Sequence, residues 1–102
     1  GVLGAIRSSD ACNMTLSAAN ASADLKKEIG APITLGMLVG GKVNVINGHR
    51  EANVTMTLIG PNGEADAHTI GTREGDEPWI WTEMSAVVKA NGTHIDLRGA
   101  NP

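Results

Sequence analysis

The 102-residue chain has no phenylalanine and no tyrosine, and its only aromatic residues are Trp79 and Trp81. Its core must therefore be built from Val, Ile, Leu, Met and Ala, which pack well but supply few rigid aromatic anchors for a ligand. Cysteine is nearly absent too. The single Cys12 excludes an internal disulfide, so the fold cannot depend on one. The compartment stays open, because proteins outside the cytoplasm need not carry disulfides. There is no excess of basic residues, and the net charge is −3. Nucleic-acid binding needs a basic stripe, often with aromatic stacking platforms, so no nucleic-acid partner is expected. The adjacent basic pair Lys26–Lys27 stands beside Glu28 and reads as a solvated helix face. No apolar run has transmembrane length and no signal peptide opens the chain. Contact with a membrane is therefore expected only through an N-terminal anchor not present in this chain. Internal repeats and low-complexity tracts are absent as well.

The length and the 41% hydrophobic fraction fit one globular α+β domain spanning residues 1–102, with 1–8 and 99–102 expected to be flexible. The first third reads as helical. Cys12, Leu16, Ala19 and Ala23 recur at i, i+4, i+7 and i+11, one helical face. Ser8 or Ser9 can cap the start, with Asp10 at the favourable end of the dipole. A break is expected at residues 20–22, where Ser22 can cap a second short helix whose face carries Leu25 and Ile29. Gly30 suits the position after its last turn, and Pro32 forbids continuation. The helix pair is thus predicted at about 9–20 and 22–29.

From Leu35 onward the pattern turns to strands, predicted at about 36–46, 50–60, 64–72, 79–89 and 93–98 in a twisted antiparallel meander with the helices on one face. Asn47–Gly48 is a strong two-residue hairpin signal, because both central positions of a type I′ turn need positive φ. That loop pairs Ile46 with His49, and then Val43 with Ala52, Gly41 with Val54, Val39 with Met56 and Met37 with Leu58. The resulting face is apolar and the opposite face mostly polar, whereas a one-residue slip would destroy the agreement. Val39, Val43, Val54, Met56 and Leu58 are thus expected to be buried. A second turn at residues 60–63, Gly-Pro-Asn-Gly, puts Ala65 and Ala67 opposite Leu58 and Met56, where small side chains let a helix come close. Asn91–Gly92 predicts a third hairpin pairing Val88 with Ile95 and Ala86 with Leu97, on a face shared with Met84. Trp79 and Trp81 have the opposite parity. Either the strand bulges near Thr82–Glu83 and returns them to the core face, or both point outward.

Catalytic equipment is not recognisable. His49, His68 and His94 lack second ligands at metal-site spacing. Cys12 falls on an apolar helix face, where an inert buried thiol is the ordinary outcome. Glu64, Asp66, Glu74, Asp76, Glu77 and Glu83 are scattered over a loop and strand ends, whereas acid–base catalysis needs two carboxylates held in one cleft. Gly36, Gly40 and Gly41 precede no Lys-Ser/Thr and no helix, so they do not form a phosphate loop. They read as a bulge, a bend or a close helix contact. Asn-x-Ser/Thr triplets begin at Asn13, Asn20, Asn53 and Asn91, but the first two lie in a helix and Asn91 is needed in a turn. No catalytic residue, metal or cofactor is expected. The candidate interaction residues are Trp79 and Trp81, which would be a hot spot if exposed and the only aromatic part of the core if buried.

The order of these pieces resembles a known family. Leu16-x-x-Ala19, Ser22-Ala23-Asp24-Leu25 and Ile29-Gly30-Ala31-Pro32-Ile33 look like the helical opening of the cytochrome c oxidase assembly factor one family, with Ile29 in place of the usual leucine. A glycine-containing strand (Gly40-Gly41-Lys42-Val43-Asn44-Val45), a glycine-proline-x-glycine turn (Gly60 to Gly63), a tryptophan opening a late strand (Trp79) and a glycine turn into Ile95-Asp96-Leu97 follow. The resemblance covers Leu16 to Leu97. It implies a helix pair on a twisted sheet, similar to the intermembrane-space domain of a mitochondrial presequence-translocase subunit. It also implies an assembly or docking factor for a membrane complex, typically tethered outside the cytoplasm by one N-terminal transmembrane helix, and it carries no catalytic motif. The expected function is a non-catalytic protein-interaction domain whose partner is a protein of a respiratory or other membrane complex, docking through a strand edge or the polar sheet face. The alternative is a small apolar-ligand carrier with a pocket between helices and sheet, motivated by the abundance of Ala and Gly on the facing surfaces.

Overall fold

The computed structural model describes residues 6–7 and 9–99. The expected flexible ends fall largely outside these residues. Ser9 caps helix α1 (Asp10–Ala21), its side chain accepting from the Cys12 N–H, and Asp10 occupies the first turn. The helix ends because Ser22 leaves helical geometry. The same serine then caps α2 (Ala23–Ile29), with Leu25 N–H donating to Ser22 Oγ at 3.1 Å. This restart changes the helical phase, so Ala23, expected on the buried face, is exposed while Leu25 and Ile29 are fully buried.

Strands β1 (Thr34–Ile46), β2 (His49–Gly60), β3 (Gly63–Glu74), β4 (Ile80–Val88) and β5 (His94–Asp96) form one antiparallel sheet in sequence order. The α+β architecture expected from the sequence, a helix pair followed by a five-stranded antiparallel meander, is the one observed. Asn47 and Gly48 have φ of 49° and 80°, as a type I′ turn requires. Ile46 pairs with His49, Val43 with Ala52, Gly41 with Val54 and Val39 with Met56. Beyond Val39 the expected register fails. Leu35, not Met37, lies opposite Leu58, and Met37 is 91% exposed. The cause lies in how the chain enters the strand. Asn20 clamps Ile33 from α1, accepting its N–H at 2.9 Å and donating to its carbonyl at 2.9 Å. With that entry point fixed, β1 holds more residues than β2 can match, and the surplus around Met37 and Leu38 bulges into solvent.

The second hairpin pairs Leu58 with Ala65 and Met56 with Ala67, as expected. Ala18, Ala19, Ala65, Ala67 and Ala86 are at most 2% exposed, so the small residues allow close helix–sheet contact and leave no gap there. Leu25, Ile29, Leu58, Val54, Val88 and Leu97 fill the space between the layers. Each such side chain contributes about 1.5–3 kcal/mol of burial. The third hairpin differs from expectation: Ala86, not Val88, pairs with Ile95. Val88 N–H donates to Thr93 O and Gly92 N–H to Val88 O, which closes a wider loop than two residues. The shift is by two positions, so Ile95 and Leu97 keep their buried face.

Two turns noted in the sequence meet in space. Asn62 N–H donates to Ile29 O at 2.8 Å, tying the β2–β3 turn to the end of α2. A Cβ on Gly60 would stand 2.2 Å from that same carbonyl oxygen, so only glycine lets the two backbones approach.

Candidate docking surface

The two tryptophans sit where β4 departs from regular pairing. Ile70 pairs with Glu83 but Gly71 pairs with Trp81, which leaves Thr82 as the extra residue of a bulge. That bulge is one of the two arrangements the sequence allowed. It turns both indoles to the helix side of the sheet, where they are half-buried and pack against the core margin. The rings stack with centroids 4.8 Å apart and planes within 4°. Gly71 makes the stack possible, because a Cβ there would lie 2.3 Å from a Trp81 ring carbon. Trp79 Nε1 donates to Asp10 Oδ2 at 3.0 Å, and Arg73 stands 3.7 Å from the same oxygen. The pair thus braces the start of α1 against the sheet.

Beside this brace the sheet outruns its helical cover. Val43, expected in the core, is 39% exposed, because Ile6 and the start of α1 stand beside it without closing over it. Val45 and Ile46 are 61% and 68% exposed. An open groove of about 630 Å³ results, lined by Ile6, Ala11, Val43, Val45, Ala52 and Trp79, with Lys42, Arg50 and Asp10 at its polar margins. Among the described residues no strand neighbours the outer side of β1. Natural sheet edges are usually shortened, charged or broken by proline. The thirteen residues of β1, TLGMLVGGKVNVI, include one charge and no proline. The opposite edge, β5, has three residues and carries His94 and Asp96.

Most of the residues considered for catalysis lie away from the groove, several of them in side-chain contacts of their own. His49, at the β1–β2 turn, is held by Glu74 at Nδ1 and by Glu51 at Nε2, 3.0 Å away. The Glu74 bond first, and then the Glu51 bond, raise the His49 pKa above its ordinary value. His68 bonds Asn53 at 2.7 Å on the open face of the sheet, and His94 lies on β5. Among the described residues no group of three or more His, Cys, Asp or Glu side chains is placed to hold a metal ion. Cys12 is buried, and desolvation pushes its thiol pKa up against smaller opposing effects of Ser9 and Arg7. Glu64 and Asp66 flank Lys89 at 3.4 and 3.8 Å. Of the Asn-x-Ser/Thr sites, Asn20 forms the Ile33 clamp and Asn91 bonds Glu28 and the Thr93 N–H. Sequence reasoning missed the buried Thr15–Thr69 hydroxyl pair, 2.5 Å apart, which links α1 to β3. Its only trace was a threonine at each of two apolar-face positions.

The sequence model of cytochrome oxidase complex assembly protein 1 matches residues 4–99. The chain belongs to that family. Membership implies a part in assembling the cytochrome oxidase complex. No curated protein and no solved structure matches the chain. Among the described residues no helix is long and apolar enough to cross a membrane.

Proposed function

We propose that this domain is a non-catalytic docking module for oxidase assembly, and that it binds protein partners through the β1 edge and the groove beside it. The observation that carries this reading is the open edge from Val39 to Ile46, which has one charge, no proline and no register break and is continuous with a groove floored by Val43 and Val45. Such an edge is an aggregation hazard unless the working protein covers it. The burial of Cys12 and the side-chain hydrogen bonds of His49 and His68 support a role without catalysis. Trp79 and Trp81 then serve as the rigid wall of the docking surface, their area held in place by the stack and by Asp10.

The test is complementation. Cells lacking the protein should lose assembled oxidase, read by haem absorbance and oxidase activity, and regain it with the wild-type chain. Val45→Glu, at an exposed position outside the core, should fold but fail to restore oxidase. Full restoration by that variant would remove the β1 surface from the function.

The carrier reading has one observation in its favour, since the groove volume falls in the range of ligand pockets. Against it, the groove is open and Val43 and Val45 remain solvent-exposed, whereas a carrier buries most of its ligand. Titration with decanoate, followed by tryptophan fluorescence, separates the two: saturable binding at micromolar levels would favour the carrier.

A further inference from the structure

The docking reading leaves the occupant of the edge undefined, and the arrangement of charges around it restricts the choice. In a type I′ hairpin with a two-residue loop, the residues flanking the loop form a hydrogen-bonded pair, and such pairs alternate with non-bonded ones along the ladder. Ile46 and His49 flank the loop, so Asn44 and Lys42 bond β2. The backbone N–H and C=O groups of Val45, Val43, Gly41 and Val39 are then directed to the free edge. An incoming strand would bond these residues. Its side chains opposite Val43 and Val45 would enter the groove beside Ile6 and Trp79, and those at intervening positions would lie on the open face beside Lys42.

Charge decides what such a strand must carry. Lys42 is the only ionisable residue on β1, and Arg50 lies across from Val45 on the groove side. Among the described residues neither cation has an ion-pair partner or a hydrogen-bonded acceptor. The one carboxylate at the groove, Asp10, is already held by Trp79 and Arg73. Pairing two copies of β1 edge to edge would gather their two lysines with no acid on either strand, which is unfavourable. We propose that the β1 edge accepts an extended segment of a partner protein by strand addition, the segment being apolar at the positions that face the groove and carrying, at the intervening positions, carboxylates that meet Lys42 on the open face. This proposal rests on the docking reading and specifies the partner's chemistry.

The test uses the whole 102-residue chain, labelled with nitrogen-15, and two capped ten-residue peptides of alternating valine and polar positions. One peptide carries glutamate at two polar positions and the other carries lysine at the same places. The glutamate peptide should shift the amides of Val39, Gly41, Val43 and Val45 and the Trp79 indole, leaving β5 unmoved. The lysine peptide should bind at least about fivefold more weakly, the scale of one or two exposed ion pairs exchanged for repulsions. Lys42→Glu should invert the preference. Val43→Pro removes an edge-facing N–H without breaking a β1–β2 bond and should abolish binding while leaving thermal unfolding cooperative. Equal binding of both peptides, shifts centred elsewhere, or concentration-dependent self-pairing through β1 would each overturn the proposal. The complementation result stands apart: if Val45→Glu fails to restore oxidase while neither peptide binds β1, the docking reading survives and strand addition by an acidic segment does not.

Discussion

Replacing Gly71 with alanine should dismantle the tryptophan brace. The added Cβ would stand 2.3 and 2.7 Å from two Trp81 ring carbons and 2.9 Å from Ile80 O, so the indole must move. Overpacking of this kind costs about 1–3 kcal/mol, and loss of the stacked pair adds about 0.5–1.5 kcal/mol. Alanine returns roughly 0.5–1 kcal/mol by restricting the unfolded chain relative to glycine. The net expectation is a loss of about 0.5–4 kcal/mol, at roughly 4–8 °C in Tm for each kcal/mol in a domain of this size. The assay is unusually clean, because Trp79 and Trp81 are the only aromatic residues in the chain. Near-UV circular dichroism and fluorescence therefore report on this pair alone. Gly71→Ala should collapse the exciton-coupled signal of the stack while leaving the far-UV sheet signature in place. Trp81→Ala supplies the control: in its background the glycine substitution should cost at least about 1 kcal/mol less, the residual coming from the Ile80 carbonyl. If Gly71→Ala leaves stability and the near-UV spectrum unchanged, or costs the same with and without the Trp81 ring, the reasoning fails.

The Thr15–Thr69 pair should show the asymmetry of buried polar groups. Thr15→Val leaves the Thr69 hydroxyl without its 2.5 Å partner and should cost about 1–3 kcal/mol, whereas the double Thr15→Val/Thr69→Val variant should lie closer to wild type in urea unfolding. Cys12 should react with a thiol reagent far more slowly in the native protein than in denaturant, since burial excludes the reagent and raises the thiol pKa; equal rates would contradict its placement. The His49 pKa is raised in the folded protein by Glu74 and then Glu51, so its stabilising contribution is full below the unfolded value of about 6.5 and is lost as pH rises through the folded value. His49→Gln should flatten that descent in stability, and an imidazole titration by NMR that found no upward shift would refute it.

Local chemistry wrote much of this architecture into the sequence. Ser9 and Ser22 cap helices because a side-chain oxygen there satisfies an orphan N–H. Asn47–Gly48 sets the first hairpin register because few other pairs take positive φ twice. The period-two pattern then chose which face of β2 and β3 is buried, down to Ala65 and Ala67 opposite Leu58 and Met56. The order of the turns resembled the family to which the chain belongs. What the sequence could not decide depended on contacts between distant segments. Met37 is expelled because Asn20, on the first helix, fixes where Ile33 enters the sheet. Val43 satisfies the strand pattern but is left 39% exposed, because burial depends on how the helical segment lies over the sheet, and no periodicity within β1 records that. The tryptophans' side of the sheet was undetermined until pairing with β3 placed the bulge at Thr82 and Gly71 made room for Trp81. The groove arises from the last two of these departures, whereas the β1 edge follows from the sequential order of the strands. Turns and caps are set by neighbours a few residues away and can be read along the chain, whereas a surface is defined by what fails to cover it, which only the assembled layers decide.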